Sequence, residues 1–380
     1  MPAPVSPVGP VAHSRLTVDL AAVAENYRRV KAAAGGAEVA AVLKGDAYGL
    51  GMAQLAAVLA AEGTATFCVA FCDEAAALRA VLRDLGADGR IYVLTGLHDA
   101  FWDRYLADDL IPVLNSPDHV AGWARAGRDH GVRPPAAIQV DLGLHRLGLS
   151  PDELTALAAR PEALSGLTPD LLIGHLPFGN DHGDPRNGEH LALFRKLCAG
   201  LPGWRRSIAN SAAVFLAPDY HLDLVRTGSA LCGVNPRRGA ANPMRPVVTL
   251  ESRVIQVRDL PAGRTIGYRG TFRAARDTRL GIVAIGSSDG FGRQFTGDGQ
   301  GIAWIAGHEV AIIGAGGSDM IFVDLTDLPA EAAAVGQPVE LLGPHIDLEA
   351  AARRAGTTEY DLLTGLGRRP ERVYLSPSGA

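Results

Sequence analysis

The sequence predicts an α/β protein, a (β/α)8 TIM-type barrel followed by a mainly β C-terminal domain. Three observations carry this. Between residues 38 and 228, short apolar runs alternate eight times with longer alanine- and leucine-rich stretches of helical period. The runs are nearly continuous in apolar residues, the pattern of parallel strands buried on both faces. After Pro236 the texture changes to β-rich segments joined by short glycine-rich turns, with few helices.

In chain order the barrel strands are expected at 38–43 (EVAAVL), 66–70 (TFCVA), 91–94 (IYVL), 111–114 (IPVL), 136–141 (AAIQVD), 171–175 (LLIGH), 206–209 (RSIA) and 222–226 (LDLVR). Each is too short for a stable helix and ends at a polar residue, a glycine or a turn signal. Between them lie helices such as 51–62, 73–85, 151–159 and 188–199. The later strands are expected at 247–257, 279–285, 301–305, 308–313, 320–325 and 338–342, with helices at 347–355 and 359–366. Residues 13–19 also read as a strand. The barrel already has its eight, so this one is assigned to the C-terminal domain. The expected organisation is a flexible leader (1–12), a cofactor-binding barrel (13–236, with 13–19 possibly lent to the second domain) and a mainly β domain (237–380).

The chain has 380 residues and a formal net charge of −5, which argues against a nucleic-acid partner. No stretch approaches the ~20 uninterrupted apolar residues of a membrane span. The N-terminus lacks the apolar core of a signal peptide. The cysteines Cys68, Cys72, Cys198 and Cys232 stand in apolar contexts without metal-ligand spacing and are expected as reduced core residues, so no metal is expected and the chain is placed in the cytoplasm.

The chemistry centres on Lys44, in the run AVLKGDAYGLG (41–51). Three apolar residues precede it and three glycines follow within seven positions, as where a buried strand releases into a tight, ligand-hugging turn. Low-dielectric surroundings disfavour the ammonium form there, and the free amine is the nucleophile that forms a Schiff base with an aldehyde cofactor. A lone lysine could equally cap the strand and snorkel to water, and the run alone leaves both readings open.

Eight further segments fall in a recognisable order: QVDLGLHRLGL (139–149), IGHL (173–176), IANSAAVF (208–215), LVRTGSALCGVNP (224–236), IGYRGTF (266–272), SSDGFGR (287–293), SDMIFVDLT (318–326) and TTEYDLLTGLG (357–367). With the Lys44 run they make the chain resemble the alanine racemase family of fold-type III pyridoxal-phosphate enzymes, over nearly its whole length after the leader.

The resemblance implies a homodimeric enzyme with shared sites and pyridoxal 5'-phosphate as cofactor. Inverting Cα needs a proton removed on one face and returned on the other, hence two bases. The resemblance makes Lys44 one and Tyr268 the other. A free phenol titrates near ~10, so a tyrosine base needs a cationic neighbour, and His175 is a candidate. Arg226 matches the arginine that faces the cofactor's ring nitrogen. A permanent guanidinium there keeps that nitrogen unprotonated, weakens the electron sink and suppresses transamination. Tyr48, Asn210, Ser211, Gly228, Ser229 and Tyr360 match the phosphate cradle, although Asn210 and Ser211 also fit plain helix capping. Arg146 matches a residue touching the cofactor's phenolate and the substrate carboxylate, Ser318 and Asp319 complete carboxylate binding, and His175 lies against the ring.

Several family positions are altered. Gln139 stands where many members carry a carbamylated lysine that orients the arginine matched by Arg146, so only hydrogen bonding is expected to hold it. His145 adjoins Arg146, the segment at 177–184 is new, and Cys232 and Ser287 each replace a tyrosine. Ser318 replaces a methionine. The serines could widen the entrance for a larger or more polar amino acid such as serine, or reflect drift; loss of one methyl-sized restriction changes discrimination by only ~1–3 kcal/mol. A cofactor-binding homologue with little or no racemase activity is the other reading. A decarboxylase of the same cofactor fold would need an acidic partner for the ring nitrogen and a cysteine–aspartate pair in the β domain, and neither is visible.

Overall fold

In the computed structural model, residues 13–97, 101–296 and 300–376 are described; the expected leader lies outside them. The chain divides into two compact units, Ala22–Arg245, and Met1–Ala21 with Pro246–Ala380.

Strand β1 (Ser14–Asp19) belongs to the second unit. The eight strands of the first are β2 (Glu38–Val42), β3 (Thr66–Val69), β4 (Arg90–Val93), β5 (Leu110–Leu114), β6 (Pro135–Gln139), β7 (Thr168–Ile173), β8 (Arg205–Ser207) and β9 (Leu224–Thr227). They pair in parallel in the order β8-β7-β6-β5-β4-β3-β2-β9. Two backbone bonds, Asp223 N–H to the Arg206 carbonyl (3.1 Å) and Arg226 N–H to the Ala209 carbonyl (2.9 Å), join the two ends of that order and close the barrel. Alternate residues fill the lumen: Ala40 and Val42, Cys68, Tyr92, Ile111 and Val113, Ala137, Leu171 and Ile173, and Leu224. Strand residues point alternately in and out, and helices such as Met52–Ala61 and Cys72–Asp84 cover the outside, so the runs are apolar throughout.

At the end where the strands start, the lumen is closed by charge. Glu38 receives Arg90 (2.9 and 3.1 Å), Arg205 and the Thr66 hydroxyl, and Tyr92 donates to Asp170 at 2.6 Å. These groups sit near the N-terminal ends of β2, β3, β4, β7 and β8, the end away from Lys44.

In the second unit, β1 runs antiparallel to β10 (Val248–Leu260), with Ser14 opposite Ser252, and parallel to β18 (Glu371–Leu375), with Arg15 opposite Glu371. The strand read at 13–19 thus lies in the C-terminal sheet. A two-stranded hairpin, β11 (Thr265–Ile266) and β12 (Phe272–Arg273), interrupts the main sheet and carries Tyr268 at its turn. β13 (Thr278–Val283) pairs with β10 and with β16 (Ile321–Asp324), while β14 (Ile302–Ile305), β15 (His308–Ala311) and β17 (Pro338–Leu342) extend the sheet from β10. The four cysteines are buried and unpaired. Among the described residues no helix is long and apolar enough to cross a membrane.

Candidate active site

Lys44 follows β2 directly. The next four residues, Gly45, Asp46, Ala47 and Tyr48, all have positive φ, between 53° and 62°, a left-handed turn that only glycine adopts without strain. Backbone bonds from Ala47 N–H to the Leu43 carbonyl (2.9 Å) and from Gly49 N–H to the Gly45 carbonyl (2.8 Å) close it. Glu74, in the first turn of the helix Cys72–Asp84 that follows β3, accepts from the N–H groups of Gly45 (2.6 Å), Ala70 (2.8 Å) and Phe71 (3.1 Å). Met52 N–H binds Asp46, and the Cys232 thiol points at the Ala47 carbonyl at 3.8 Å. A strained turn held from three sides fixes the lysine's backbone. Burial first, and then the charge of Arg146, lower the Lys44 pKa from its ordinary value, raising its free-amine fraction.

Arg226 is buried at 6% exposure in β9. It donates to Ser207 Oγ at 2.5 Å and to the Gly174 carbonyl at 2.7 Å, both neutral, and among the described residues it has no ion-pair partner. Burial lowers its pKa to about 10, so it remains a cation at neutral pH. His175, just after β7, meets the opposite fate. Burial, Arg226, Arg146 and Lys44 push its pKa down to about 3. It is a neutral imidazole, and the cationic role considered for it towards Tyr268 falls away.

Ser211 gathers the turn after β9. Its Oγ accepts from the N–H groups of Gly228 (3.1 Å) and Ala230 (3.3 Å) and lies 3.1 Å from Thr227 Oγ1. A Cβ on Gly228 would lie 2.5 Å from the Tyr48 hydroxyl, so only glycine lets Tyr48 pack there. Ser211 and Ser229 are buried. Asn210 accepts from Ala213 N–H at 3.0 Å, the capping role weighed for it in the sequence. The barrel thus brings Tyr48, Ser211, Gly228 and Ser229 into one cluster. Tyr360 belongs to the other unit.

The loop after β6 departs from expectation. Gln139 donates to the Leu147 carbonyl at 2.8 Å, and among the described residues it accepts nothing from Arg146. Asp141 accepts from the N–H groups of Gly143, Leu144 and His145, and His145 takes a positive φ of 53°. Arg146 is exposed and has no ion pair among the described residues. The new segment at 177–184 packs against the start of the helix Arg186–Cys198: Asn187 donates to the Phe178 and Asp181 carbonyls, and the Arg186 guanidinium lies 3.3 Å from the centre of the Phe178 ring.

In the second unit Tyr268 is 68% exposed. Its ring rests on Gly317, where a Cβ would lie 3.3 Å from a ring carbon. The preceding Gly267 has φ +77° and no room for a Cβ against Ala315. Ser287 and Ser318 are exposed and lie on adjoining chains, joined by Ser287 N–H to the Gly317 carbonyl (3.2 Å) and Ser288 N–H to the Ser318 carbonyl (3.0 Å). Asp319 is paired with Arg369 at 2.5 Å. Sequence reasoning missed Glu74, Ser207, Asp289 and Arg369. Glu74 had a local signal, an acidic residue in the first turn of a helix. Arg369 had none, since its carboxylate partners lie 50 and 80 residues away.

The pattern described as "Alanine racemase, N-terminal domain" matches residues 18–236, and "Alanine racemase, C-terminal domain" matches 247–374. An alanine racemase of Rhizobium meliloti is 41% identical over 373 residues, covering 96% of this chain and 97% of that protein. A catabolic alanine racemase of Agrobacterium fabrum is 40% identical, covering 96% of this chain and 93% of its own length. Among solved structures, the Bartonella henselae alanine racemase with covalently bound pyridoxal phosphate superposes with a TM-score of 0.91 at 35% identity, covering 96% of this chain and all of that one.

Proposed function

The chain belongs to the alanine racemase family, and on that premise we propose that it is a pyridoxal-phosphate-dependent alanine racemase with Lys44 and Tyr268 as its two proton carriers. The observation that carries the reading is a lysine of lowered pKa and a buried, carboxylate-free arginine at the same end of one barrel. When bound, pyridoxal phosphate supplies an electron sink that makes the substrate Cα–H acidic enough to remove. The residues fit that group. The missing Cβ of Gly228 lets the Tyr48 hydroxyl come up against the turn after β9, the Ser211 hydroxyl gathers the Gly228 and Ala230 N–H groups there into a cluster of donors suited to a dianion, and Arg226 has no acid to neutralise it.

In this reading Lys44 holds the cofactor covalently. Tyr48, Asn210, Ser211, Gly228, Ser229 and Tyr360 would hold its phosphate, Arg226 would serve its ring nitrogen and His175 would contact it as a neutral group. Arg146 and the Ser318–Asp319 strip bind the substrate carboxylate. Lys44 moves the Cα proton on one face and the Tyr268 phenol on the other. Residues 13–236 act as the cofactor-binding domain, with 13–19 lent to the second, and 237–380 bring the second base. The enzyme works in the cytoplasm as an obligate homodimer with shared sites, in keeping with an exposed catalytic tyrosine. The exposed Ser287 and Ser318 favour one second reading, a polar substrate such as serine.

Single enantiomers of alanine and serine, incubated with the holoenzyme in deuterated water, test this. Inversion with Cα deuterium incorporation is expected, fastest with alanine. No inversion of any substrate by the cofactor-loaded protein sinks the reading. Lys44→Ala should lose the borohydride-fixable cofactor and all measurable turnover. Tyr268→Phe should keep the cofactor fixed and lose about 10²- to 10⁴-fold in turnover in both directions.

A further inference from the structure

We propose that Arg369 is a positioning residue of the active site: one guanidinium ties the buried Asp289 to the strip from Gly317 to Asp319, on which the Tyr268 ring rests and which the substrate carboxylate would meet. The assignment of that strip and of Tyr268 rests on the reading above.

Asp289 is the anchor. Its side chain is fully buried and receives Gly286 N–H (2.8 Å), Ser14 Oγ (3.3 Å) and a two-pronged contact from Arg369 Nε (2.8 Å) and Nη2 (2.5 Å). The Asp289 carbonyl accepts from Gly367 N–H at 2.9 Å, which holds the arginine's own chain beside it. A planar fork on a carboxylate with its other sites filled leaves the guanidinium one orientation. The remaining donors of Arg369 then reach the strip: Nη1 to Asp319 at 2.5 Å, and Nη2 to the Ser318 carbonyl at 3.2 Å.

The Asp319 side chain is 62% exposed. An isolated pair at such exposure contributes little, because two long side chains must be ordered for it. Here Arg369 is already ordered by Asp289, so the second contact fixes Asp319 without that full entropic cost. The strip is sewn from its other side by the Ser287 and Ser288 N–H groups, which donate to the Gly317 and Ser318 carbonyls. Gly286, next to them, has no room for a Cβ, which would lie 2.5 Å from Ser318 backbone atoms. Gly317 in turn supports the Tyr268 ring. A single guanidinium therefore sets the position of the phenol's platform and of the strip beside it. A lysine has one point of charge and cannot make this set of contacts.

The test uses the full-length protein with Arg369→Lys and Asp319→Asn. Arg369→Lys should keep its cofactor, since Lys44 and Arg226 lie in the other unit. It should raise KM for L- and D-alanine about tenfold and lower kcat in both directions. In cofactor-free protein the amides of Ser287 and Ser288 should exchange hydrogen about tenfold faster. Asp319→Asn should raise KM several-fold with kcat little changed. A folded, loaded Arg369→Lys with wild-type kcat, KM and amide exchange overturns the proposal, as does one that only melts earlier with its kinetics intact. Should Arg369→Lys fail to fold, Asp319→Asn decides: an unchanged KM overturns it. A wild-type protein that racemises nothing overturns the functional reading instead, and the amide exchange still judges the clamp.

Discussion

The two ends of the barrel lumen use the same cations in opposite ways. At the strand starts, Arg90 and Arg205 converge on Glu38, and Tyr92 on Asp170. At the strand ends Lys44, Arg146 and Arg226 stand together with His175, and among the described residues none of the three cations has a carboxylate as ion-pair partner. Glu74, the carboxylate whose charge acts on Lys44, is occupied by three backbone N–H groups. At the bottom the charges of Arg90 and Arg205 are answered by the Glu38 carboxylate. At the top, burial and the charge of Arg146 lower the Lys44 pKa, burial lowers that of Arg226, and burial together with all three cations keeps the His175 imidazole neutral, an arrangement completed by a bound anion. The difference teaches that location relative to an acid, not residue type, separates structural from functional charge in this fold.

Making the top resemble the bottom should have the largest effect. On the proposed assignment of Arg226, Arg226→Glu would put an acid opposite the ring nitrogen, which would then hold a proton. Racemisation should fall by about 10²-fold or more, and slow transamination should appear as keto acid formed from alanine. Unchanged racemisation with no keto acid would show that the absence of an acid at this end is incidental.

Removing the acid from the bottom should act on stability instead. Breaking a fully buried pair costs about 3–5 kcal/mol. The Glu38 side chain is 26% exposed, and Arg90 and Arg205 are 42% and 28% exposed, so screening reduces this to about 1–2 kcal/mol for Glu38→Gln. Urea unfolding should show that loss, with kcat of the folded enzyme unchanged. Burial raises the Glu38 pKa, but the Thr66 hydroxyl and the charges of Arg205 and Arg90 outweigh it, leaving it below the ordinary 4.5. The folded state thus binds this proton less readily than the unfolded chain. Its contribution is complete above pH 4.5, is lost as the pH falls through the folded value, and should be absent from the variant.

A last effect, confined to acid pH and absent at neutrality, lies at the top. His175 titrates at about 3 when folded against an ordinary 6.5, so between these values the unfolded chain holds the extra proton. Stability should fall with acid across that window, at up to about 1.4 kcal/mol per pH unit. His175→Asn should remove this part of the acid slope. A slope unchanged from wild type would mean that His175 is not held neutral.

The barrel was legible in the sequence because each strand announces itself within a few residues. The run at 38–43 became Glu38–Val42, and that at 111–114 became Leu110–Leu114. Where polar residues join a strand the signal failed: β7 starts at Thr168, three residues before the apolar run. β18, with the mixed sequence ERVYL, was not foreseen and, among the described residues, pairs with β1 alone.

By itself the sequence determined the eight strands, the change of architecture after Pro236, and a lysine released from the first barrel strand into a glycine-rich turn. These depend on hydrophobic period and turn chemistry, which act between neighbours in the chain. Only the tertiary structure decided that Glu38 takes Arg90 and Arg205, that Gln139 holds Leu147 and not Arg146, that His175 is neutral, and that Arg369 joins Asp289 to Asp319. Charges interact through space and through the dielectric around them. Where Glu38 and Arg205 are 167 residues apart, barrel closure sets their separation and burial, and no local pattern encodes either.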